Sequence, residues 1–240
     1  MLKAVFFDAA GTLFEPREPV GLSYARIAHD HGVKAGADEV SASFRSAFHN
    51  AGGLAFGPGH AADELRTLER EWWRRLVAET FAKLGRFSDF DAYFNELFGY
   101  FADPAHWRAD ADAASTLASL RERGLTVGII SNFDHRLYAI LEGLGLAGYF
   151  DSITISSEAG YAKPSAKVFQ AALDRHSLTP AQALHVGDSE HLDLAGAAEA
   201  GLAAVLIDHK LPVPTSLTGR TARIARLANV PQLLREIPFP

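Results

Sequence analysis

The chain has 240 residues, 48% of them hydrophobic and 22% charged, a profile that allows a globular protein with a full core. Its 23 basic against 29 acidic residues leave a net charge of −6, which favours neither nucleic acid nor an anionic membrane as a partner. The absence of cysteine excludes disulfides, thiolate metal sites and thiol nucleophiles. Residues 1–7 lack the basic and apolar regions of a signal peptide, and no run nears the roughly 18 apolar residues of a membrane span, so a cytoplasmic location is expected. Oligomeric state is left open.

In chain order, the first apolar run is Ala4–Phe7, read as a strand buried on both faces. About a hundred residues without a convincing strand follow. They carry helical patterns near Pro19–His31, Asp38–His49, Ala61–Leu84 and Ser88–Phe101. Pro19 suits a first helical position and Ser88 an N-cap, and the stretch "NAGGLAFGPGH" (50–60) reads as a loop that either gates a site or only connects. From there strands and helices alternate. The strands are Thr126–Ile130, a weaker Ser152–Ile155, Ala183–Val186 and Ala203–Ile207; the helices are Asp112–Arg123, His135–Leu144, Ser165–His176 and His191–Ala200. The fold class that follows is α/β: a Rossmann-like doubly wound parallel sheet, with a small helical module inserted after the first strand. The division is a core of residues 1–14 and 106–240 and a helical module of 15–105.

Four stretches lie just past predicted strands or beside one: "DAAGT" (8–12), "SNFD" (131–134), "GYAKPSAKVF" (160–169) and "HVGDSEHLDLAGA" (185–197). In a doubly wound sheet such strand ends converge. Asp8, Asp188 and Asp193 would then share one place, and three acids together require a hard cation. Ser131 offers a hydroxyl and neighbouring backbone N–H groups to a phosphate oxygen, and Lys163 a positive charge. Carboxylates with a cation, plus Lys and Ser, describe a Mg²⁺-assisted phosphoryl-transfer site for a small phosphorylated substrate.

With these residues in order, the sequence resembles the haloacid dehalogenase superfamily of hydrolases. Its four motifs correspond to Asp8-Ala9-Ala10-Gly11-Thr12, Ser131-Asn132, Lys163-Pro164, and Gly187-Asp188 with Asp193. The stretches "REWWRRLVAETF" (70–81), "ISNFDHRLYAILEGLGLAGYFD" (130–151) and "SSEAGYAKPSAKVFQAAL" (156–173) further resemble the haloacid-dehalogenase-like hydrolase domain-containing protein 3 group. The resemblance implies that Asp8 attacks phosphorus, forming an aspartyl-phosphate. It implies Mg²⁺ held by Asp8, the Ala10 carbonyl and Asp188, with Asp193 orienting metal-bound water. Thr12, Ser131 and Asn132 would bind substrate, Lys163 would balance charge on nucleophile and phosphate, and residues 15–105 would form the family's small cap.

One position departs from the pattern. Phosphatases of the family usually carry aspartate where this chain has Ala10, and that acid protonates the leaving oxygen and then activates water. Such assistance is worth about 10²–10⁴-fold. Three readings stay open: a leaving group needing little protonation, as in the phosphonate and halide branches; a substitute such as His191 or a cap residue; or a weak catalyst that chiefly binds a phosphorylated ligand. The halide branch fits least, since it needs no metal while Asp188 and Asp193 are kept. Trp72 and Trp73 are expected to pack the cap helices together.

Overall fold

The computed structural model describes residues 1–210 and 215–236. Strand β1 (Ala4–Phe7) is followed by β2 (Phe14–Pro16), then by helices α1 (Val20–Asp30), α2 (Ala37–Asn50), α3 (Ala62–Phe81) and α4 (Phe90–Tyr100), before β3 (Trp107–Ala109) returns. The remainder alternates: α5 (Ala113–Glu122), β4 (Thr126–Ser131), α6 (Arg136–Gly143), β5 (Ser152–Ile155), α7 (Ser156–Ala159), α8 (Ala166–Asp174) and β6 (Ala183–Gly187). A π-helical turn (Glu190–Ala195) runs into α9 (Gly196–Glu199), followed by β7 (Ala203–Ile207), β8 (Thr215–Thr218), β9 (Thr221–Ile224) and α10 (Val230–Glu236).

The main sheet has the order β5-β4-β1-β6-β7-β9-β8, parallel throughout except for β8, which pairs antiparallel with β9. From β1 the chain works outward to β4 and β5, then returns to the other side of β1 for β6. The carboxyl ends of β1 and β6 therefore flank the topological switch point, where ligands bind in open α/β sheets. Successive residues of β1 feed opposite layers: Val5 and Phe7 join the core on one face, Ala4 and Phe6 that on the other. All four are fully buried, which is why the run is uniformly apolar. Each large apolar side chain buried this way contributes about 1.5–3 kcal/mol.

Helices α1–α4 have a separate, aromatic-rich core around Tyr24, Ile27, Val77, Phe81, Tyr93 and Phe94. Phe87 stacks on Tyr93 with centroids 4.2 Å apart, and Phe81 meets the same ring edge-on at 5.3 Å. Such pairs add about 0.5–1.5 kcal/mol beyond burial.

The structure corrects the sequence reading at several places. The stretch expected to lack strands begins and ends in one: β2 and β3 form an antiparallel ribbon with Phe14 opposite Ala109 and Pro16 opposite Trp107. Three residues each, one of them proline, are too few to show a period of two. α4 is capped by Asp89, whose carboxylate accepts from the Ala92 N–H at 2.9 Å, and not by Ser88. Pro19 stands at the N-cap of α1, one residue before the expected position. α3 stops at Phe81, three residues short of Leu84. The helix expected over His191–Ala200 opens as a π turn, and the β8–β9 hairpin lies in a stretch too polar to read as strand.

Candidate active site

Asp8 follows the last residue of β1, and its N–H donates to the Val186 carbonyl on β6 at 2.9 Å, tying the loop to the switch point. The turn behind it is tight: the Leu13 N–H donates to the Ala9 carbonyl at 2.8 Å, and Gly11 has φ +93°. A Cβ at Gly11 would lie 2.7 Å from an Asp188 carboxylate oxygen, so glycine alone lets the two loops approach. Thr12 Oγ1 donates across to Asp188 Oδ1 at 3.3 Å.

Lys163 lies between two of the acids. Its buried ammonium donates to Asp8 Oδ1 and to Asp193 Oδ1, both at 2.6 Å. Burial alone would lower its pKa, but the Asp8 and Asp193 charges outweigh that and hold it above the ordinary lysine value. Asn132 fixes the Lys163 loop from β4: its amide accepts from the Lys163 N–H at 2.7 Å and donates to the Lys163 carbonyl at 3.0 Å. Both ends of the Asn132 amide are thus occupied by backbone. Ser131 ends β4 and is 2% exposed, with no described residue engaging its hydroxyl.

Asp193 sits on the π turn, one extra residue having brought it against β6. Its Oδ1 accepts from Lys163 and contacts His185 Nε2 at 2.8 Å, while its Oδ2 accepts from the Ser189 N–H at 3.0 Å. Gly187 makes room for it, since a Cβ there would fall 2.2 Å from the Asp193 carboxyl carbon. Burial works to raise the Asp193 carboxyl, but Lys163 and His185 outweigh it and hold the group well below the usual carboxylate range. Burial drives His185 below the ordinary histidine value, so the ring is neutral and donates from Nε2. Its Nδ1 has no partner among the described residues. His185 was not picked out in the sequence, where it passes as one polar residue in an apolar strand.

Asp188 stands exposed at the mouth. Its low-dielectric surroundings, then the Asp8 and Asp193 charges, push its carboxyl up to about 6. Ligand atoms of Asp8, Asp188 and Asp193 all lie within 4.8 Å of one another, and the Ala10 carbonyl accepts no hydrogen bond from any described residue. These acidic groups could hold a divalent cation. His191 is exposed on the π turn.

Residues next to the site bind the helical module. Beyond Asn132, Asp134 accepts from the Trp73 indole N–H at 2.6 Å, and His135 pairs with the buried Glu69, both partners being on α3. Asp134 also takes the Arg136 guanidinium through Nε at 2.9 Å and Nη2 at 2.6 Å. On the Lys163 side, Ser156 Oγ donates to the Leu54 carbonyl at 2.6 Å and the Gly57 N–H to the Gly160 carbonyl at 3.2 Å. Trp72 packs among helices as expected, whereas Trp73 reaches the core. No helix among the described residues is long and apolar enough to cross a membrane.

A haloacid dehalogenase-like hydrolase family model matches residues 2–201. The chain is 31% identical over 243 aligned residues to haloacid dehalogenase-like hydrolase domain-containing protein 3 of Bos taurus, covering 99% of this chain and 94% of that protein. It is 27% identical to glyceraldehyde 3-phosphate phosphatase of Methanothermobacter thermautotrophicus, covering 88% of each. The crystal structure of a HAD phosphatase from Thermococcus onnurineus superposes with a TM-score of 0.67 at 24% identity, over 97% of this chain and 98% of that one, and so shares the fold. With its motif residues gathered at one switch point and a match over most of its length, the chain belongs to the haloacid dehalogenase-like hydrolases.

Proposed function

We propose that this hydrolase is a Mg²⁺-dependent phosphatase of a small phosphorylated metabolite, with Asp8 as its nucleophile. The observation that carries the reading is the Lys163 ammonium held between Asp8 and Asp193, with Asp188 alongside. Asp8 Oδ1 is fixed by Lys163, and no described residue engages Oδ2, which is left to attack phosphorus. The bond to the leaving oxygen breaks as the Asp8–phosphorus bond forms, and water then releases phosphate from the aspartyl-phosphate. The Ser131 hydroxyl, which no described residue engages, and the Thr12 hydroxyl, which donates to Asp188, would bind the phosphoryl oxygens, while Asn132 serves by holding the Lys163 loop. Mg²⁺ would be held by Asp8, Asp188 and the Ala10 carbonyl, with Asp193 behind them, and would supply positive charge to the phosphoryl oxygens. Residues 15–105 act as a cap, seated on the loops after β4 and β5.

The test is a panel of acyl, aryl and alkyl phosphates with and without Mg²⁺, using Asp8→Asn as control. Mg²⁺-dependent phosphate release that Asp8→Asn abolishes is expected; equal release by that variant would refute the assignment. A second reading, a phospholigand-binding protein on the same fold, is favoured by Ala10, whose methyl group replaces the acid/base. Ligand binding without turnover of any class of phosphate would support it.

A further inference from the structure

Between the cap helices and the loop after β4 lies a cavity of about 90 Å³. Its walls are almost wholly aromatic and aliphatic, Tyr24, Trp73 and Phe98 coming from the cap and Trp107, Phe133 and Arg136 from the core side. Phe133 is only two residues past Ser131, a reach of at most about 7 Å along extended chain. Its ring meets Phe14, two residues past Thr12, edge-on at 6.4 Å, and Trp107 meets the same Phe14 at 5.3 Å. Phe133, which follows the Ser131 loop, therefore lines the cavity, and Phe14, which follows the Asp8–Thr12 loop, packs behind the Phe133 and Trp107 rings.

Two polar atoms on these walls, Arg136 Nη1 and the Tyr24 hydroxyl oxygen, are engaged by no described residue. Arg136 is 6% exposed, its Nε and Nη2 are taken by Asp134, and no described residue engages Nη1. Its planar face is also covered, with Phe98 centred 4.0 Å and Trp73 5.0 Å from the guanidinium carbon. Tyr24 is 3% exposed, and no described residue bonds its hydroxyl. Burial raises that phenol above its ordinary value, so it is a neutral donor at physiological pH. A donor that no described residue engages is open to an acceptor on a ligand, at the value of one hydrogen bond.

The charges nearby set what that acceptor is. Asp134 already matches the Arg136 cation, and the buried Glu69 adds a further carboxylate on the same seam. A ligand carboxylate would enter as an uncompensated buried anion; a carbonyl or ether oxygen would not. The volume is below the roughly 150 Å³ of an apolar cavity that accepts benzene, which leaves room for about four or five heavy atoms.

We propose that this cavity receives the organic part of the substrate, and that this part is short, uncharged and largely apolar with one hydrogen-bond acceptor. The inference rests on the phosphatase reading and narrows its substrate class to phosphate monoesters of small neutral alcohols. Sugar-like and carboxylate-bearing phosphates are disfavoured.

The experiment compares kcat/KM for 3-oxobutyl phosphate, n-butyl phosphate, glyceraldehyde 3-phosphate and 2-phosphoglycolate, with acetyl phosphate as a substrate too short to need the cavity. The ketone is expected to exceed the butyl ester by about 3–10-fold, the value of one hydrogen bond. Both should exceed glyceraldehyde 3-phosphate by about 10-fold or more, with 2-phosphoglycolate lowest. Tyr24→Phe should bring the ketone-to-butyl ratio toward one. In metal-free protein, the product alcohol 4-hydroxybutan-2-one should shift tryptophan fluorescence and raise Tm. Val20→Phe, which fills the cavity, should remove both effects, and Val20→Leu should weaken them if the larger variant does not fold. Acetyl phosphate hydrolysis together with a preference for glyceraldehyde 3-phosphate or 2-phosphoglycolate would overturn the inference alone. No hydrolysis of any phosphate would overturn the phosphatase reading instead, while the alcohol still tests the cavity: a response that Val20→Phe removes supports it, and no response overturns it.

Discussion

Among the described residues, two acidic clusters have ligand-type atoms inside 4.8 Å, each attended by one cation. In the first, Lys163 presents a point charge to Asp8 and Asp193 and leaves Asp188 exposed at the mouth, with its carboxyl up near 6. In the second, the forked guanidinium of Arg136 saturates Asp134: each oxygen of that carboxylate accepts two hydrogen bonds, from Arg136 and Trp73. Burial works to raise Asp134, but Arg136 outweighs it and holds the carboxyl below its ordinary value. The clusters contain similar residues and have opposite capacities. A lysine leaves oxygens available for a metal and a phosphoryl group, whereas a bidentate arginine closes the carboxylate and turns it into a fastener between cap and core.

Removing one acid from each cluster separates the two capacities most sharply. Asp8→Asn should lower phosphate-ester turnover by about 10³-fold or more while leaving Tm nearly unchanged, as read by steady-state kinetics and calorimetry. Asp134→Ala should do the reverse in stability. It strands the buried Arg136 cation at a cost of about 3–5 kcal/mol, lowering Tm by roughly 6–20 °C. A thermal scan in which Asp134→Ala matches the parent would show that the second cluster fastens nothing.

Restoring an acid at position 10 tests what the first cluster lacks. Ala10→Asp should raise alkyl phosphate turnover by roughly 10-fold, with a smaller gain for aryl and acyl phosphates, whose leaving groups need little protonation. An unchanged alkyl-to-aryl ratio in a folded, Mg²⁺-binding variant would mean that Ala10 is not the missing acid.

The smallest effect is in pH. Because the folded-state pKa of Asp188 is raised from 3.8 to about 6, the metal-free chain holds a proton there that the unfolded chain has lost. Its contribution to stability is present below about pH 4 and lost as pH rises through 6. Mg²⁺ needs the ionised form, so its affinity should fall by about tenfold per unit below pH 6, measurable by calorimetry. Asp188→Asn should remove that slope, and its persistence in the variant would place the proton elsewhere.

Much of this was legible in the sequence for a physical reason. β1, β4, β6 and β7 are buried on both faces, so their apolar runs announce them, and each motif follows directly from such a run or sits beside a neighbouring strand. β2 and β3 were not legible, because three-residue strands show no period. Asp134, His135 and Arg136 stood in view within "SNFDHR", but charged residues at a helix start are usually solvated. Only the packing of α3 brings Trp73 and Glu69 against them. His185 was hidden similarly, since its partner Asp193 reaches it through a π turn that no sequence period reveals.

Asp8 is proposed to take the phosphoryl group, and Ala10 to leave its release unassisted. Acid-quenching the protein with Mg²⁺ and acetyl phosphate, followed by peptide mass analysis, tests this directly. The expected result is one phosphoryl group on the peptide containing Asp8, accumulating in the parent, declining faster in Ala10→Asp and absent from Asp8→Asn. Steady phosphate release with no phosphorylated Asp8 peptide at any quench time, or a phosphorylated peptide that persists in Asp8→Asn, would contradict it.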